Sequence, residues 1–163
     1  MDSSHITVRP ADLRDPHEGA ALVSLLDAYA TDLMGGGTPL RDEVKERLPR
    51  DLAARANAFV LLAFVDGTPA GAAVSFEAYS TFEALPLMNL HDFVVAPSFR
   101  GRAIAPRMLE ALEAESRRRN CCKITLEVLE NNHRARGIYA QFGFASYELD
   151  PAAGKALFLQ KKL

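Results

Sequence analysis

Hydrophobic and polar positions along this chain change period several times, and each change marks an element. Ile6 to Arg9 reads as a first strand. Leu22, Leu25, Leu26, Tyr29 and Leu33 then recur at helical spacing and mark one buried face. Gly35-Gly36-Gly37-Thr38-Pro39 breaks that helix, and a charged helix follows from about Arg41 to Arg55. Phe59 to Phe64 and Ala70 to Tyr79, joined through Asp66-Gly67, read as a hairpin, because that dipeptide favours the tight turns whose twist matches paired strands.

The second half of the chain combines pattern with candidate chemistry. Phe93-Val94-Val95 is an apolar strand, and Ala96-Pro97 breaks it. Arg100-Gly101-Arg102-Ala103-Ile104-Ala105 forms a basic turn of small residues, followed by a helix with Ile104, Met108, Leu109 and Leu112 on one face. The first N–H groups of a helix have no intrahelical partners and point outward together at the positive end of its dipole, so such a turn can hold a phosphate or pyrophosphate. Gly101, Ala103 and Ala105 let a ligand approach the backbone, Arg100 and Arg102 add charge, and Pro106 suits the first turn. An ordinary strand-to-helix connection with a basic rim has the same pattern, so this turn alone does not decide.

Lys123 to Leu129 alternates as a further strand, with Ile124, Leu126 and Val128 on one side. Asn131-Asn132 can cap the next helix, whose stripe is Ala135, Ile138 and Phe142. Tyr139 lies beside that stripe, where it can emerge at the edge. Gly143-Phe144 ends the helix and starts another strand.

Two ordered motifs in this stretch resemble those of the GNAT family of N-acetyltransferases. The family's acetyl-CoA signature, Arg or Gln, two residues, Gly, one residue, Gly or Ala, falls on Arg100, Ala103 and Ala105. A second pattern, Asn-x-x-Ala-x-x-aliphatic-Tyr and then Gly-Phe, falls on Asn132, Ala135, Ile138, Tyr139, Gly143 and Phe144. The resemblance implies an α/β (α+β) fold with a central mixed, mostly antiparallel twisted sheet flanked by helices on both faces. It implies one domain over residues 1–163. It also implies acetyl-CoA as cosubstrate, held by Phe93, Val94, Val95, the turn Arg100 to Ala105 and Asn132, with an amine acceptor and self-association as a homodimer. The loop at Gly35-Gly36-Gly37 would border the acceptor site as a mobile lid, or serve as a plain linker. Ala103 departs from the family's usual first glycine; we read that position as needing close backbone approach and not a positive φ.

Composition narrows the class further. The chain has 163 residues, enough for one sizeable core. No apolar run approaches the ~20 residues that span a bilayer, and the start MDSSHITVRP lacks a signal-peptide core, so no membrane partner is expected. The only cysteines, Cys121 and Cys122, are adjacent, which excludes a disulfide framework and fits a reducing cytoplasm; packing at the start of a strand suits them better than reactivity. The four histidines are scattered without ligand spacing, so no metal is expected. A net charge of −2 argues against nucleic acid. Residues 97 to 136 nevertheless hold nine Lys or Arg against five Asp or Glu, a local excess that fits an anionic ligand. Arg117-Arg118-Arg119 within it reads as a solvated helix end.

Acetyl transfer to an amine needs a base, a donor to the carbonyl oxygen and an acid for the leaving thiolate. By the family likeness Tyr139 is the acid, and the strand near Val94 can supply a main-chain N–H. His91 is the first candidate for the base and Asp92 the second, since imidazole, with an ordinary pKa of ~6.5, can relay a proton. A histidine satisfied within the sheet is the rival reading. Strand alternation puts His91, Phe93 and Val95 on one face and Asp92 and Val94 on the other. Two other functions stay open: a non-catalytic acyl-CoA-binding or regulatory module with the same fold, and, more weakly, a nucleotide-binding protein. The latter lacks Gly-Lys-Ser/Thr and Gly-x-Gly-x-x-Gly in this chain.

Overall fold

The computed structural model describes residues 5–148 and 150–163. It comprises two compact units, Met1–Leu129 and Glu130–Leu163. The first holds a five-stranded sheet in the order β1 (Ile6–Pro10), β2 (Ala58–Val65), β3 (Thr68–Ser80), β4 (Leu85–Val95), β5 (Ile124–Leu126). The first four strands pair antiparallel and β5 joins β4 in parallel, so the sheet is mixed. The expected hairpin forms: Asp66 and Gly67 both take positive φ, 49° and 81°, between β2 and β3.

Alternation along the strands supplies two apolar faces, and a helix layer covers each. On one face Val60 and Leu62 of β2, Ala72 and Val74 of β3 and Val94 of β4 form a core with Leu22, Leu25 and Leu26 of α1 (Pro16–Thr31) and Leu52 of α2 (Asp42–Ala53). On the other, Met108, Leu109 and Leu112 of α3 (Ile104–Arg118) are almost fully buried, as are Leu61, Ala63 and Ala73 of opposite strand parity. Gly71 lets α3 lie close: a Cβ there would meet Met108 Sδ at 2.8 Å and the Val94 carbonyl oxygen at 3.0 Å. Helices on both faces of a mixed sheet make this an α/β fold.

Salt bridges fasten the far end of α3. Arg119 joins Glu115 at 2.6 Å to Glu77 of β3 at 3.1 Å and lies 5.3 Å over the Phe59 ring. Hydrogen bonds from Arg118 and then Arg119 hold the Glu115 carboxyl down to about 2, against its burial. The reading of three merely solvating arginines is thus corrected for Arg119, whose stem and charge are both used.

Three boundaries also differ from the sequence reading. Helix α1 stops at Thr31, because Asp32 takes an extended conformation and its side chain accepts the Met34 N–H at 2.9 Å, starting a 3-10 turn over Leu33–Gly35. Leu33, expected on the helical face, is exposed. Strand β5 is limited to Ile124–Leu126, and Val128 and Leu129 lie exposed beyond it. In the second unit α4 (His133–Gln141) forms as expected, but no strand follows Gly143-Phe144 among the described residues. A strand needs a paired neighbour, and only an isolated bridge, Glu148 to Lys155, forms there.

Candidate functional site

Strand β4 carries five of the residues singled out from the sequence, His91 to Val95, and its pairing is interrupted on both edges. Toward β3 the register shifts: Asp92 pairs with Val74 and Leu90 with Ser75, leaving His91 as the extra residue of a bulge. Such an insertion resets the alternation of side chains. Val74 belongs to the α1 side, so its partner Asp92 does too. His91 turns to the same side, its ring meeting Phe76 edge-on at 5.6 Å, and Phe76 packs against the α1-side core. Simple alternation had separated His91 from Asp92; the bulge brings them onto one face.

That face is electrostatically coherent. His91 is exposed, while Asp92 is half-buried. Burial pushes the Asp92 carboxyl up, partly opposed by His91. Tyr29 of α1 lies near them: burial raises its hydroxyl first, and the charges of Asp92 and Asp32 raise it further. Its hydroxyl donates to the Met34 carbonyl oxygen at 3.4 Å.

The glycine run at the end of α1 is a built turn. The Asp32 carbonyl accepts the N–H groups of Gly35 at 2.9 Å and Gly37 at 3.0 Å. A Cβ at Gly35 would lie 1.8 Å from the Tyr29 carbonyl oxygen, so only glycine fits without rebuilding the turn. Asp27 ties down its far side, accepting the Leu40 N–H at 2.8 Å and pairing with Lys45 at 2.9 Å.

Toward β5, pairing ends at Leu90 with Leu126. Beyond it the β4 edge has no strand partner among the described residues. The Ala96 N–H donates to the Ala70 carbonyl at 2.9 Å, which fixes the parity of the strand. By that parity the main-chain groups of Val94 face β3, whereas those of Phe93 and Val95 face the side that β5 has left. Arg100 closes back on this side, its Nε donating to the Val95 carbonyl at 3.2 Å.

The turn before α3 is sharper than the sequence suggested. Gly101 has φ 80°, and Ala103, the N-cap, sits in the left-handed region at φ 58° and ψ 24°. The expectation that Ala103 needs only close approach is therefore corrected. Ile104 and Ala105 are buried and seat the helix start, while Arg102 lies 5.7 Å over the Phe99 ring. Left-handed backbone costs an alanine ~1–2 kcal/mol, offset in part by the smaller entropy of the unfolded chain relative to glycine. Ala103→Gly should accordingly stabilise the protein by up to about 1 kcal/mol. Urea denaturation checks this; an unchanged or lower midpoint would mean that the turn carries no such strain.

The second unit presents Asn132 and Tyr139. Asn132 caps α4, its Oδ1 accepting the Ala135 N–H at 3.2 Å. Tyr139 is buried, only 8% exposed, and does not emerge at the edge of the helical stripe. Its ring meets Phe144 edge-on at 5.7 Å, and its carbonyl accepts the Phe144 N–H at 2.9 Å. Sequence reasoning missed Tyr29, Phe76 and Asn89. Tyr29 and Phe76 look like core positions, and nothing in the local sequence marks Asn89.

Elsewhere, Cys121 and Cys122 are unbridged and half-buried, with burial the main cause raising the Cys121 thiol. No helix among the described residues is long and apolar enough to cross a membrane.

A left-handed turn thus opens α3 beside a β4 edge that has no strand partner among the described residues, on an α/β scaffold. Residues 22–144 match the acetyltransferase (GNAT) family, and the chain belongs to that family. A curated relative from Archaeoglobus fulgidus, described as an uncharacterized N-acetyltransferase, is 33% identical over 82 residues, which cover 50% of this chain and 56% of the relative. The alignment thus spans about half the length of each. Among solved structures, a ribosomal-protein-alanine N-acetyltransferase from Brucella melitensis biovar Abortus 2308 superposes with a TM-score of 0.73. It is 23% identical, covering 90% of this chain and 96% of the other. The aminoglycoside acetyltransferase AAC(6')-Iy, solved with a bisubstrate analogue of CoA, gives a TM-score of 0.77 at 17% identity, covering 98% and 100%. At these identities the two structures establish the shared fold.

Proposed function

We propose that this acetyltransferase moves the acetyl group of acetyl-CoA to a primary amine, with residues 1–163 acting as one catalytic domain. The observation that carries the reading is the edge of β4 beyond Leu90, which has no strand partner among the described residues and leads into the turn Arg100 to Ala105. A pyrophosphate is suited to the first N–H groups of α3, with Arg102 beside it. The amide-rich arm of the cofactor is suited to the main chain of Phe93 to Val95, as an added strand would be.

In the reaction, the amine nitrogen forms a bond to the thioester carbonyl carbon and the carbon–sulfur bond breaks. His91 takes the proton that the arriving ammonium must lose, directly or through water, with Asp92 beside it. A main-chain N–H of the same β4 segment stabilises the charge that develops on the carbonyl oxygen. Tyr139 gives its proton to the departing thiolate, a role resting on its place in the second motif. Small amines, amino acids, polyamines, aminoglycosides and protein N-termini are all acceptors of the required chemistry. The left-handed Ala103 favours one other reading, a module that binds acyl-CoA without turnover. Thiol release in the presence of an amine panel separates the two.

The first test is the thermal midpoint with acetyl-CoA, ATP or NAD at equal concentration. A ligand at ~100 times its Kd stabilises by about 2.7 kcal/mol, which at this chain length is a shift of several degrees. A shift with acetyl-CoA alone is expected; none with acetyl-CoA would defeat the donor assignment.

A further inference from the structure

Strands β4 and β5 part immediately after their third rung, and a side-chain contact sits at that point. Met88, Asn89 and Leu90 pair with Ile124, Thr125 and Leu126. Within these rungs the Asn89 Nδ2 donates to Thr125 Oγ1 at 3.1 Å and to the Thr125 carbonyl oxygen at 3.4 Å. Both residues are half-buried, and the contact joins positions 36 apart in the chain. The bulge at His91 follows two residues later on β4.

These features act on opposite edges of β4. The bulge shifts β4 by one residue against β3, with which it stays paired to Val95, and falls just past the last rung to β5, whereas the side-chain contact ties β4 to β5 across the rungs before it. Three rungs of parallel pairing are a short ladder, and parallel pairing is slightly weaker per residue than antiparallel. An asparagine in a strand is otherwise poorly favoured, since its amide competes for backbone groups and packs badly on a pleated surface. Here that competition is put to use, because the amide bonds across to the neighbouring strand.

We propose that Asn89 and Thr125 form a positioning clasp that fixes where β4 and β5 part, and thereby sets the geometry of the β4 edge that receives acetyl-CoA. The inference rests on the donor reading given above. Neither residue touches the reacting atoms in this proposal. They act through the backbone of Leu90 to Val95, whose N–H and C=O groups must stand at fixed spacing to meet the cofactor's amides.

The test compares Thr125→Val, which keeps the shape and removes the hydroxyl, with Thr125→Ser, which keeps the hydroxyl, and with Asn89→Leu. Acetyl-CoA affinity is read by titration calorimetry, and the midpoint of the ligand-free protein is read alongside. Loss of one or two hydrogen bonds at the clasp should weaken acetyl-CoA binding roughly fivefold to tenfold in Thr125→Val and Asn89→Leu. Thr125→Ser should restore wild-type affinity. Amide exchange at Leu90 and Leu126 should quicken in the two weakened variants. If the midpoints fall while affinity stays at the wild-type value, the pair is merely structural and the proposal is overturned. The same holds if Thr125→Ser weakens binding as much as Thr125→Val. A wild-type chain that fails to bind acetyl-CoA at all would instead overturn the donor reading, and the clasp's role in donor binding with it.

Discussion

Replacing His91 with alanine is expected to lower kcat for amine acetylation by about 100-fold near neutral pH, the usual yield of a positioned base. The loss should shrink as the pH approaches the ~10 of a free alkylamine, since a neutral amine needs no base. The structural reason is the bulge. It places His91 on the α1 side, exposed, next to a half-buried carboxyl whose affinity for its proton is raised by burial. An exposed imidazole can exchange its proton with solvent and meet an arriving amine directly; burial makes the Asp92 carboxyl a stronger base than a free carboxylate but leaves it less open to both. Asp92→Asn should therefore retain most of kcat. Full pH–rate profiles for both variants decide the assignment: matching profiles for wild type and His91→Ala would remove His91 from the mechanism. A larger loss in Asp92→Asn would move the role to Asp92.

The parts of this site that follow from residue type were legible in the sequence. The Asp66-Gly67 hairpin, the apolar face of α3 and the Asn132 cap each depend on a few neighbouring residues whose chemistry admits few alternatives. What escaped depends on pairing. A bulge adds one residue to a strand without altering the look of the alternation, so His91 and Asp92 read as opposed when they share a face. The left-handed Ala103 escaped for a different reason: alanine gives no local sign of positive φ, and only the tertiary seating of Ile104 and Ala105 imposes it. The length of β5 was overestimated because Val128 and Leu129 continue the apolar alternation past the last paired residue. Thr125 and Asn89, far apart in sequence, meet only through the parallel crossover, which no local pattern encodes.

Tyr139→Phe is expected to lower kcat by about 100-fold while leaving acetyl-CoA affinity unchanged. The substitution removes one oxygen and keeps the ring, so the edge-on contact with Phe144 and the burial of the side chain both persist. Stability should change by about 1 kcal/mol, the scale of a single hydrogen bond, which thermal or urea denaturation would read separately from rate. The position is fixed by backbone as well as by packing, since the Tyr139 carbonyl accepts the Phe144 N–H where α4 ends. In the proposed role the phenol delivers a proton to the sulfur that leaves as thiolate, and phenylalanine cannot. The signature of that role is a fall in kcat and in kcat/KM together, because the interaction exists only as the carbon–sulfur bond breaks. A rise in the acetyl-CoA KM with kcat preserved would make Tyr139 a binding residue. Equal kcat in wild type and variant at every pH would leave the thiolate to depart unprotonated, and the acid step would drop out of the mechanism.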